Sequence, residues 1–145
     1  MATLSEAACV SRLSIANDHA ALDELGTWIA AIGAHEALSR RDAFHLDLVL
    51  SEAVTNIMDY GSGRIDLACH VAPDGILVEV VDDGPPFDPT ARPPAILPTK
   101  IEDAVPGGLG IHLMRSYTRA MEYRRENDRN VLSMTLLRDT GSPSP

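Results

Sequence analysis

The chain has 145 residues, 45% of them hydrophobic, which is material for one packed domain. It carries 21 acidic against 12 basic side chains, a net charge of −9, and a field of that sign argues against phosphate-backbone binding, so no direct nucleic-acid contact is expected. Two cysteines without a CxxC pair, five scattered histidines and no long apolar run speak against a disulfide framework, a zinc site, a signal peptide or a membrane span; a soluble, cytoplasmic protein is expected.

In chain order, Leu13 and Ile15 flank the polar Ser14, and residues 11–16 read as a short strand. Asn17 or Asp18 is placed to cap a helix on which Leu22, Leu25, Ile29 and Ile32 recur, with Gly33 as the expected stop. Trp28 lies off that stripe, available to a dimer or partner surface. Ser39-Arg40-Arg41-Asp42 resembles a capping box with Asp in place of Glu. The helix it opens runs to about Tyr60, with Leu46, Val49, Leu50, Ala53, Val54 and Ile57 on one arc, and Gly61 and Gly63 end it. Ile65, Leu67, Cys69 and Val71 share one strand face, Pro73-Asp74-Gly75 is a turn, and Ile76–Val81 reads as a central strand. Residues 85–106 hold seven of the ten prolines, which excludes a long helix or a central strand; so long a loop is functional or disordered. From Gly107 onward, Ile111, Leu113, Met114 and Tyr117 predict a helix, and the segments 121–124 and 131–136 predict a hairpin across Asn127-Asp128. The expected fold is α+β, a two-layer sandwich of a mixed, mostly antiparallel sheet with helices on one face, over a single domain 1–139 and a frayed tail at 140–145.

Three short motifs carry chemistry. Glu52 and Asn56 stand four residues apart, on one side of their helix beside the apolar arc; alone, such a pair is more often an exposed polar stripe. Asp82-Asp83-Gly84-Pro85-Pro86-Phe87-Asp88 follows directly on the apolar strand. A carboxylate there can accept from an exocyclic amine such as adenine N6, and Gly84 permits close approach of a flat ligand; an ordinary acidic turn explains the same residues equally well. Gly107-Gly108-Leu109-Gly110-Ile111 opens a helix, where free N–H groups and the dipole favour an anion; a flexible hinge is the other reading. Neither the G-K-[ST] ending of a Walker A loop nor a preceding βαβ unit is present.

In this order and spacing the three motifs resemble the N, G1 and G2 boxes of the GHKL (Bergerat-fold) ATPase superfamily. The wording LSEAVTNIMDYG, VVDDGPPFDP and PGGLGIHLMRSY resembles most closely the anti-sigma-factor serine/threonine kinases, over about Leu13 to Leu137. The resemblance implies ATP and Mg²⁺ as cofactors, Glu52 as general base, Asn56 as the magnesium ligand and Asp82, with Gly84 beneath the base, as the adenine contact. It further implies Gly107, Gly108, Leu109 and Gly110 around the triphosphate, Thr135 near the adenine and residues 85–106 as the ATP lid. Lys100, the one lysine of the chain, and Arg115 are candidate phosphate contacts. An acidic protein can still hold ATP, because the site is local and magnesium brings positive charge. Pro85-Pro86 departs from the glycine-rich form common in G1 boxes, which leaves lid closure open.

By the same resemblance the protein phosphorylates a STAS-type anti-sigma-factor antagonist, sequesters a sigma factor and forms a homodimer. The alternative is a non-catalytic ATP-binding regulator that only sequesters a partner; an intact Glu52 argues for catalysis. A sensor histidine kinase needs a helical phospho-acceptor domain, and gyrase-like or chaperone ATPases need transducer domains; neither is expected in 145 residues.

Overall fold

Alternation along the strands decides which side of the sheet is covered. Ile65, Leu67, Cys69 and Val71 bury one face of β2 (Arg64–Ala72), and Ile76, Val78 and Val80 bury the same face of β3 (Gly75–Asp82). Those side chains share one apolar core with Leu25, Ile29 and Ile32 of α1 (Ala21–His35), Leu46, Val49, Leu50, Ala53 and Val54 of α2 (Arg40–Asp59), and Ile111 and Met114 of α3 (Gly108–Tyr117). Leu46 and Leu50 are fully buried, and truncating such a side chain to alanine costs about 2–5 kcal/mol. The sheet is completed by β1 (Cys9–Ala16), β4 (Ala120–Glu126) and β5 (Arg129–Leu137), in the order β1-β2-β3-β5-β4. The computed structural model describes residues 9–59, 63–91 and 108–139, with the backbone alone for residues 9 and 108–110.

The two-layer α+β sandwich is the one expected, and its four strand pairings are antiparallel throughout, with no parallel pair among the described residues. The turn Asn127-Asp128 has both residues in the left-handed region, φ 53 and 60, which Asn and Asp tolerate best after glycine and which suits a tight hairpin. No described helix is long and apolar enough to cross a membrane.

The termini of α1 and α2 depart from expectation. α1 begins at Ala21 without a side-chain cap; the Asp18 carboxylate instead accepts from the Ala20 amide at 2.9 Å in a local turn. Nor does Gly33 stop the helix, which runs on to His35: a helical glycine costs only about 1 kcal/mol, less than burial of Ile29 and Ile32 returns. Trp28 is half-buried against the core rather than presented outward. Ser39 does cap α2, accepting from the Asp42 amide at 3.1 Å, but Asp42 does not reciprocate. Its buried carboxylate takes the Asp139 amide at 2.7 Å, tying the chain just beyond β5 to the start of α2.

Candidate functional site

The hydrophobic arc of α2 ends against a narrow cleft that encloses about 20 Å³, where Ala53, Asn56 and Ile57 form one wall. Asp82, at the end of β3, and Leu132 and Asn130 of β5 face it across the sheet, and Met114 of α3 closes it from the other helix. Phe87 and Pro89 bring in the start of the proline-rich segment. Most of this lining is apolar, with a few polar groups that converge, as ligand pockets have.

Two of those polar groups contrast. Asn56 is 5% exposed, and its Nδ2 has no hydrogen-bond partner among the described residues. A buried orphan donor costs about 1–3 kcal/mol, so its presence at a cavity wall fits a group completed by a ligand. Rotation of the amide offers either a donor for a phosphate oxygen or an oxygen for a cation, so the residue fits the magnesium role. Asp82 is equally buried but partnered: its Oδ1 accepts from the Gly84 amide at 2.9 Å and from Asn130 Nδ2 at 3.1 Å. Gly84 is buried directly behind that carboxylate.

Asn130 is the residue that the motifs do not announce. It stands opposite Asp82 in the β3–β5 register, and its Nδ2 also donates to the Pro85 carbonyl at 2.8 Å. Its Oδ1 accepts from the Tyr123 hydroxyl at 2.5 Å, the Phe87 amide at 3.2 Å and Arg125 Nη1 at 3.2 Å. Arg125 Nη1 reaches on to the Gly84 carbonyl at 2.8 Å. The signal was present: an Asn in phase with Leu132 and Met134 is a polar residue on the inward face of a strand.

The other expected site residues distribute as follows. Asn56, Asp82 and Gly84 come together as expected. Glu52 is half-buried one helical turn before Asn56, outside the cavity wall itself. α3 begins at Gly108, so Gly108, Leu109 and Gly110 occupy its first turn, where unpaired backbone amides project. Gly107 and Lys100, with lid residues 92–106, lie outside the described residues. Thr135 is not at the cavity. It pairs with Leu77 and lines a separate depression with Glu79, Glu122 and Ser133, on the sheet face opposite Asp82. Arg115 does not point into the cavity either; its Nη2 donates to the carbonyls of Pro89 and Thr90, at 3.1 and 3.0 Å, and pins the short 3-10 turn Pro89–Ala91 to α3.

Residues 15–136 match the family described as a histidine kinase-like ATPase domain. Over 113 residues the chain is 30% identical to the serine/threonine-protein kinase BtrW of Bordetella bronchiseptica, a match that covers 74% of this chain and 80% of the relative. With a cavity between α2 and the sheet, a carboxylate at the end of β3 and a glycine-started α3, the chain belongs to the histidine kinase-like (GHKL) ATPase family and is an ATP-binding domain of that family.

Proposed function

We propose that the protein is an ATP- and Mg²⁺-dependent protein serine/threonine kinase that acts as an anti-sigma-type regulator. The observation that carries the reading is the pairing of an unsatisfied Asn56 amide with a fixed Asp82 carboxylate on one cavity. The named activity of the Bordetella relative supports it. In this reading Asp82 takes the adenine amine, the first turn of α3 receives phosphate oxygens and Asn56 holds magnesium. The metal neutralises charge that builds on the phosphates. Glu52 orients the acceptor serine: the serine oxygen attacks the γ-phosphorus, the bond to ADP breaks and the hydroxyl proton passes to the Glu52 carboxylate. The protein acts as a homodimer whose partners are a STAS-type antagonist bearing the serine and a sigma factor that it sequesters, in a domain that spans residues 1–139.

One observation favours the alternative, a regulator that binds ATP and a partner without phosphoryl transfer: Glu52 stands outside the cavity wall. Incubation with γ-labelled ATP, Mg²⁺ and a STAS-type antagonist separates the two. Label on an antagonist serine, lost in Glu52→Gln, is the expected result. A stable complex without label identifies the binder.

A further inference from the structure

Within the nucleotide reading, on which this inference rests, a carboxylate that recognises adenine must offer one particular oxygen to an amine donor. A carboxylate is symmetric about its C–C bond, so something has to break the symmetry. Gly84 and Asn130 do so by loading Oδ1 with two donors, and no described residue donates to Oδ2. The Gly84 contact is local and follows from the turn. The Asn130 contact spans 48 residues and is held from behind. Both partners of its nitrogen, Asp82 Oδ1 and the Pro85 carbonyl, only accept. Two of the three partners of its oxygen, the Phe87 amide and Arg125 Nη1, only donate. The amide therefore cannot turn over without setting like groups against each other. Both of its N–H groups are spent, so it has no donor left for a ligand, and its influence on one passes through Asp82.

We propose that Asn130 is a positioning residue for adenine selectivity: by fixing one oxygen of Asp82 it commits the other to the exocyclic amine of the base. The discriminating ligand is ITP, which carries a carbonyl where ATP carries the amine and is otherwise alike in ribose and phosphates. A residue that only supports the fold changes both affinities together. Loss of a hydrogen bond that orients a charged acceptor changes ATP affinity alone, by about tenfold.

The test is calorimetric titration of ATP and ITP, with Mg²⁺, into wild type and Asn130→Ser, with circular dichroism as the check of folding. Wild type is expected to prefer ATP, and Asn130→Ser to lose about tenfold for ATP and nothing for ITP, so that the preference collapses. Equal losses for both nucleotides, or none for either, overturn the proposal and leave the nucleotide reading standing. A wild type that does not distinguish ATP from ITP overturns the adenine contact itself, and the proposal with it. Should Asn130→Ser not fold, Arg125→Ala replaces it: it removes from an exposed position a donor to Asn130 Oδ1 and to the Gly84 carbonyl, and so loosens the amide without emptying the core. It is expected to lower ATP affinity and to leave ITP affinity unchanged; equal effects on both nucleotides, or none on either, overturn the proposal.

Discussion

On the helix-covered face of the sheet, Asp82 and Asn130 are about 5% exposed and every contact is a short, directed hydrogen bond. On the open face the charged side chains are half-exposed and arranged in small networks. Asp66 accepts from Ser14 at 2.5 Å and pairs with Arg129 at 2.6 Å and Arg64 at 3.2 Å, while Arg124 pairs with Glu126 at 2.7 Å and reaches Glu79 at 3.9 Å. The same strands build both faces, one residue apart. Buried polar groups there are few and costly, so each has a defined role; exposed ones are many, and each contributes roughly 0–1 kcal/mol. The comparison predicts where substitutions alter binding and where they alter only the acid limb of stability.

The largest effect is expected at Asn56. Replacement by alanine removes an unpaired buried amide, so the melting temperature in the absence of nucleotide should stay level or rise. ATP affinity in Mg²⁺ should fall about 100-fold or more, since even indirect partners of a metal site are each worth 10–100-fold. A fall in stability with binding intact would break the contrast between the faces. Next comes Arg115→Ala. Because its guanidinium holds the carbonyls of Pro89 and Thr90, ATP and ADP affinities should weaken together, by roughly 3–10-fold, the equivalent of about 1 kcal/mol. A loss confined to ATP would restore the phosphate contact that the sequence had led us to expect, and place it at the γ-phosphate.

Much of the molecule was legible before its structure. The strand alternation at 65–71, the apolar run at 76–81 and the Asn127-Asp128 turn gave the sheet, because each is a local signal. The ends of α1 were not, since burial of Leu25, Ile29 and Ile32 carries the helix past Gly33 whatever glycine prefers locally. At the site, Asn56, Asp82 and Gly84 were readable as motifs. Thr135 was misplaced because the family carry-over attends to residue type. Its position between the inward Met134 and Leu136 sends it outward, and that parity is visible in the sequence. Asn130 escaped because its partners lie up to 48 residues away, and only the β3–β5 register brings them together.

A smaller effect is expected at Asp66. The Ser14 hydroxyl foremost, then Arg129 and Arg64, holds its carboxyl below the ordinary value of 3.8, against the opposing pull of partial burial. A depressed folded-state value means the stabilisation is complete above the unfolded value and drains away as pH falls through the folded one. Asp66→Asn should therefore cost roughly 0.2–1 kcal/mol at neutral pH, and the gap to wild type should close below about pH 4. Urea midpoints measured across that range check it; a gap that widens in acid would contradict the sign.

Least of all is expected from Thr135, and its silence is informative. Thr135→Val keeps the β-branched shape on β5 and removes one hydroxyl on the open face, beside Leu77 and Ala120. The whole thickness of the sheet separates that hydroxyl from Asp82. No water-bridged contact to a base seated between α2 and the sheet passes through a hydrogen-bonded strand, so ATP affinity should match wild type within about twofold, well under 1 kcal/mol. The same titration on Leu132→Ala, a neighbour of opposite parity that lines the cavity, should lose affinity. If Thr135→Val were the more damaging of the two, the base would sit on the other face, and the division between the faces would have to be redrawn.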